Sequence, residues 1–147
     1  MEEIYYSFER PITEIRYDFK SISTEKTIDK RVLFTSADYV NFYNLALLDV
    51  LEDGGLSDMT ESRNKDMTKV LSTVMKVVED FFKFNNKAVI FFSGSDERRQ
   101  RLYRIILSRD SEKIQEKFVI LGGKNDSPAE YFSLNEAYDF FIIKKKK

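Results

Sequence analysis

The residues with the chemistry to hold a ligand gather in one stretch, Gly94-Ser95 followed by Arg98, Arg99, Arg101, Tyr103 and Arg104. A Gly-Ser turn behind an apolar run reads as a strand turning into a helix, and the free N–H groups and dipole at a helix N-terminus attract anions. Arginine adds two parallel N–H bonds to phosphate or carboxylate. Gly94, Ser95, Arg99, Arg101, Tyr103 and Arg104 are therefore the candidate ligand-binding residues. The ordinary alternative is capping, with Ser95 as N-cap and Asp96 and Glu97 complementing the dipole while repelling an incoming phosphate. At about 100° per residue, Arg99 shares the face of Leu102, Tyr103 and Ile106, whereas Arg101 and Arg104 point away from it. An inward charge needs an acceptor, and Asp66, Asp49 and Asp58 are the expected partners of Arg99, in that order. A pocket arginine is the functional alternative.

Other chemistry is sparse. The chain has no Cys and no His, which removes Ser-His-Asp and Cys-His catalysis and the usual zinc sites. The loop from Asp49 to Glu61 holds Asp49, Glu52, Asp53, Asp58 and Glu61 with no basic residue among these. Its oxygens suit a hard cation, but the spacing departs from the EF-hand order, so it reads as a solvated loop and no metal is expected. No cofactor is implied and no catalytic residue stands out. The net charge of −1 argues against a general polyanion-binding surface while leaving room for a local basic patch. No window approaches a membrane span and no signal-like run follows Met1-Glu2-Glu3, so the expectation is a cytoplasmic protein without membrane contact.

The elements that must position these residues follow from periodicity. Among 147 residues, 42% are hydrophobic and 14% aromatic, a composition that packs a core within one domain. Residues 13–20 alternate, with Ile15, Tyr17 and Phe19 on one side, as in a half-buried strand. Further strands are predicted at Arg31 to Thr35 and Phe42 to Leu51, the latter apolar enough to be central, which makes the first half an antiparallel meander. Met67, Val70, Leu71, Val74, Val78 and Phe81 follow helical spacing, and Asn85-Asn86 ends that helix. Ala88 to Phe92 has buried-strand length, and the helix after Gly94-Ser95 reaches about Ser108, with 101–107 as a strand the competing reading. Ser111 caps a short helix to Lys117; a strand at Phe118–Leu121, a loop through Pro128 and a last strand, Tyr138 to Ile143, complete the chain. Residues 144–147 read as a flexible lysine tail. The fold class is α+β: a strand meander, then helix-strand-helix-strand-strand, on one mixed sheet with two main helices.

Several segments resemble a family of small uncharacterised bacterial proteins known only as a domain of unknown function. The resemblance rests on Asn44-Leu45-Ala46 with Asp49, on Asn64 and Asp66 before Val70-Leu71-Ser72-Thr73-Val74, and on Gly94-Ser95 with Arg99 and Arg101-Leu102-Tyr103-Arg104. It covers the chain from about residue 15 onward. The element order is also similar to the second half of a Gcn5-related N-acetyltransferase, whose coenzyme A pyrophosphate loop corresponds to Arg63-Asn64-Lys65-Asp66-Met67-Thr68, with both glycine positions lost. The first resemblance implies a fold unit without an assigned activity. The second implies an acyltransferase, with Tyr103 as general acid, Asp66 as base and a toxin-type role. The leading reading is a binding module whose exposed arginine face takes an anionic ligand, a nucleic acid or a partner protein, with a homodimer or a small partner protein as further possibilities.

Overall fold

The computed structural model describes residues 14–37, 39–57, 67–94, 96–134 and 136–146. Three antiparallel strands open the chain, β1 (Glu14–Ile22), β2 (Thr27–Ser36) and β3 (Phe42–Val50). A short β4 (Leu56–Ser57) folds back on β3. The helix α1 (Met67–Phe84) then crosses over to β5 (Val89–Phe92), which lies parallel to β3. Next come α2 (Glu97–Arg109), α3 (Ser111–Gln115), β6 (Phe118–Lys124), β7 (Ser127–Tyr131) and β8 (Phe140–Lys145). The sheet has eight strands in the order β1-β2-β3-β5-β8-β6-β7, with β4 beside β3, so the last strand inserts between β5 and β6. The class is α+β on one mixed sheet, as the periodicity predicts.

The helices bury their apolar stripes on the sheet face that carries Val32, Phe34, Ile90, Phe92, Phe141 and Ile143. Val70, Val74, Val78 and Phe81 recur at helical spacing along α1, and each is at most 2% exposed. Phe81 stacks on Phe34 with ring centroids 4.0 Å apart, which ties α1 to the meander. Phe92 stacks on Tyr103 at 4.7 Å, which ties α2 to β5. Each large side chain buried this way contributes about 1.5–3 kcal/mol of transfer free energy.

Residues 101–107 are helical, as in the expected helix to about Ser108, and the competing strand falls. Several other expected boundaries are corrected. Ser111 is the first buried residue of α3 and caps nothing; Asp110 precedes it without a side-chain cap. Gly122-Gly123 continues β6 instead of ending it, because the ring of Tyr138 lies over Gly122 and that of Phe140 over Gly123, each where a Cβ would stand. The segment expected to be a loop through Pro128 is strand β7, fully exposed and paired to β6 alone, the edge position that tolerates proline. Lys144 and Lys145, expected in a flexible tail, belong to β8, and Lys146 bonds to the carbonyls of Lys117 and Gln115. None of the described helices is long and apolar enough to cross a membrane.

Candidate functional site

At the end of β5 the chain turns through Ser93-Gly94 into α2, whose N-cap is Asp96 in an extended conformation. The sequence placed the cap at Ser95, which lies outside the described residues; the carboxylate one position later takes the cap role. Asp96 Oδ1 accepts from the Arg99 N–H at 2.8 Å, and Oδ2 accepts from Arg99 Nη1 at 2.6 Å. One carboxylate thus caps the helix and pairs with the arginine three residues on. An anion arriving at this end of α2 meets Asp96 before it meets the backbone.

Arg99 thus has a local partner in Asp96, which the sequence reading did not name. Its side chain is 12% exposed, so it is held inward as helical geometry requires, and Asp96, three residues back, is one carboxylate that pairs with it. Asp49 is engaged elsewhere, and Asp66 and Asp58 lie outside the described residues. Gly94 is needed for a steric reason, since a Cβ there would stand 2.4 Å from the Gln100 nitrogen and 2.8 Å from the Arg99 carbonyl carbon. Gln100, which sequence reasoning passed over, ties the junction together. Its Oε1 accepts from the Gly94 N–H at 2.7 Å, and its Nε2 donates to the Tyr138 carbonyl at 3.0 Å.

β3 and β5 pair in parallel only from Phe42↔Val89 to Leu45↔Phe92. β3 then continues to Val50 while the other chain leaves for α2. Beyond the last pair lies a slot of about 150 Å³, lined by Asn44, Leu47, Ser93, Gly94 and Tyr103 among others. The carboxyl ends of parallel strands are where open α/β sheets present ligand crevices. Tyr103 lines this slot while its ring, 4% exposed, is fixed on Phe92. Of the six sequence-selected residues, the structure therefore brings Gly94, Arg99 and Tyr103 to one corner.

Arg101 and Arg104 are placed apart from that corner. Arg101 is exposed and Arg104 half-buried, and neither has an ion-pair partner among the described residues. Arg31, Arg99 and Arg109, by contrast, are each bonded to a carboxylate. The exposed Ile105 adjoins the two unpaired arginines. Helix α2 holds Arg98, Arg99, Arg101, Arg104 and Arg109 against a single Glu97, in a chain whose net charge is −1.

The expected acidic loop is not one unit. Asp49 lies in β3, 4% exposed, and its Oδ1 accepts from Lys30 Nζ at 2.5 Å across the β2–β3 ladder. Lys30 is itself 3% exposed, and Asp49 Oδ2 is buried without a hydrogen-bond partner among the described residues. The sequence carried the signal, because Lys30 is in phase with Val32 and Phe34, and Asp49 with Leu45 and Leu47, all facing the helices. Glu52 and Asp53 are exposed, and Asp58 and Glu61 lie outside the described residues. Among the described residues no group of acidic side chains could hold a metal ion. On the other half of the meander, Tyr17 donates to Asp80 of α1 at 2.9 Å. Burial, reinforced by that hydrogen bond and the carboxylate charge, pushes the Tyr17 phenol from 10.0 up to about 12.

No curated protein and no solved structure matches the chain. A sequence family described as a family of unknown function (DUF6934) matches residues 2–146. Spanning nearly its whole length, that match makes the chain a member of this family of unknown function.

Proposed function

We propose that the protein is a binding module that takes the phosphate backbone of a single-stranded nucleic acid on the arginine face of α2. The observation that carries this reading is the contrast between paired and unpaired arginines. Arg101 and Arg104 sit three residues apart, on the same side of the helix, without a carboxylate partner among the described residues. A guanidinium is weakly hydrated and always charged, so an unpaired pair on one helix face is poised for phosphate. Ile105 beside them adds an apolar surface against which a sugar or base can rest. Arg99 belongs to the scaffold of this face, because its charge is already taken by Asp96.

Two or three phosphate contacts give micromolar to submillimolar affinity at physiological salt, about 10⁻⁴–10⁻⁶ M for sequence-independent binding. Anisotropy of a fluorescein-labelled single-stranded RNA tests the reading. Saturable binding that weakens at least tenfold in Arg101→Ala/Arg104→Ala supports it. Equal titrations for the two proteins remove this face from consideration.

A second reading, an enzyme similar to the Gcn5-related acetyltransferases, is favoured by the slot beyond the paired ends of β3 and β5 and by the insertion of β8 between β5 and β6. Tyr103 lines that slot and is its candidate acid. Against it stand Asp66 and Met67 in a sequence segment that lacks both glycines of the pyrophosphate motif, since an acidic and a bulky residue there would obstruct backbone approach. Isothermal titration with acetyl coenzyme A separates the two: no heat at millimolar ligand is expected, and micromolar binding would place the acyltransferase first.

A further inference from the structure

A second concavity, lined by none of the residues that line the β3–β5 slot, opens on the inner side of α2. Between α1, α2 and α3 there is a cavity of about 200 Å³, walled by Leu71 and Val74 of α1, Ile106 of α2 and Ile114 of α3, with Phe92 and Phe118 of the sheet behind them. Its deep wall is core: Leu71, Val74, Ile106, Phe92 and Phe118 are each 6% exposed or less. The deep part of the space is therefore lined by apolar side chains that already pack the interior, a surface that accepts apolar molecules.

The rim of this cavity is charged, and its charges do not cancel. Glu79 is bonded to Lys117 at 3.2 Å and lies 3.7 Å from Lys76, so its carboxylate is already shared by two cations. Asp110 is engaged by Arg109 at 3.3 Å. Lys113, on the exposed side of α3 at the same rim, has no carboxylate partner among the described residues. An apolar interior beneath an unneutralised ammonium matches a molecule with an alkyl chain and one negative end. A cationic head would meet Lys76, Lys113 and Lys117 instead.

We propose that this cavity binds a short- to medium-chain aliphatic carboxylate, with the chain between α1 and α2 and the carboxylate at Lys113. Its size sets the chain length. At about 30 Å³ for each water-sized group, the space holds about six or seven methylene-sized groups. Affinity should therefore climb along butyrate, hexanoate and octanoate, by roughly tenfold for each two methylenes, and level off near eight carbons. Lys113 is exposed, so its share is smaller and shows as roughly a two- to fivefold change.

The test is titration of the full chain with the sodium salts of these acids, with octylammonium chloride and with octan-1-ol, followed by calorimetry and by amide shifts in ¹⁵N spectra. The proposal expects octanoate binding with shifts centred on Leu71, Ile106 and Ile114, and weaker binding of octylammonium. It further expects a two- to fivefold loss for octanoate in Lys113→Gln, roughly the contribution of an exposed ion pair, with octan-1-ol unaffected. Lys113 is on the surface, so this variant keeps its fold, and the chain-length series needs no variant at all. Equal affinity for octanoate and octylammonium, shifts that map elsewhere, or no binding up to about 5 mM octanoate, an affinity of about −3 kcal/mol, would each overturn it.

Discussion

Replacing Asp49 by Asn should be among the most damaging single changes in this chain. The variant leaves the Lys30 ammonium, 3% exposed, facing a neutral amide inside the sheet. Removing one member of a buried pair costs about 3–5 kcal/mol, because the surviving charge stays desolvated without compensation. Against a total stability of roughly 5–15 kcal/mol, and with a urea dependence of about 2 kcal/mol per M, the midpoint should fall by about 2 M. The pair is itself imperfect, since Asp49 Oδ2 is buried without a hydrogen-bond partner among the described residues, and such an orphan costs about 1–3 kcal/mol. Lys30→Met/Asp49→Leu should therefore recover most of the loss and come within about 1 kcal/mol of the parent, since well-packed apolar replacements of buried pairs are often neutral or stabilising. Urea unfolding followed by far-UV circular dichroism, with Asp49→Asn and with Lys30→Met, Asp49→Leu and their double variant, closes the cycle. A loss below 1 kcal/mol for Asp49→Asn, or a double variant as unstable as the singles, would refute the account of a buried and incompletely satisfied ion pair.

Three further outcomes follow from the junction and the meander. Asp96→Ala removes both the cap of α2 and an ion-pair partner of Arg99, and should cost about 1–2 kcal/mol in the same assay. Gly94→Ala forces a Cβ to within 2.4 Å of the Gln100 backbone nitrogen, and should lose about 1–3 kcal/mol and shift the amide resonances at the start of α2. Above pH 10 the Tyr17 phenol, raised to about 12, stays protonated in the fold while its unfolded counterpart ionises. Its contribution is complete below pH 10 and disappears as the pH passes 12. Two pH units set a ceiling of about 2.7 kcal/mol, which solvent screening at this part-exposed site reduces to about 1. Unfolding free energies at pH 8 and pH 11 should therefore differ less in Tyr17→Phe than in the parent.

Periodicity made the meander, the long helix and the buried strand legible, because in each the apolar residues recur at the spacing of one face: Ile15, Tyr17 and Phe19 at two, Val70, Val74 and Val78 at four. β7 was not legible for the converse reason. It is an edge strand exposed on both faces, and its proline reads as a breaker until its free side is known. The double glycine of β6 resembled a turn, and only the rings of Tyr138 and Phe140 above it explain why no side chain fits. Helical geometry placed Arg99 inward, but the search for its partner looked only to long range and passed over the carboxylate three residues back. Lys30 and Asp49 show the opposite error, since two opposite charges in the interior phase of neighbouring strands were available to be paired from sequence.

The salt dependence of nucleic-acid binding tests the central claim most directly. For a labelled single-stranded RNA, log Kd should rise with log salt at a slope of about 0.7 per phosphate neutralised. Losing the contacts of Arg101 and Arg104 should reduce that slope by about 1.4 in Arg101→Ala/Arg104→Ala. A parent protein whose binding does not depend on salt, or a double variant whose slope is unchanged, would contradict the assignment of the α2 arginine face as the binding surface.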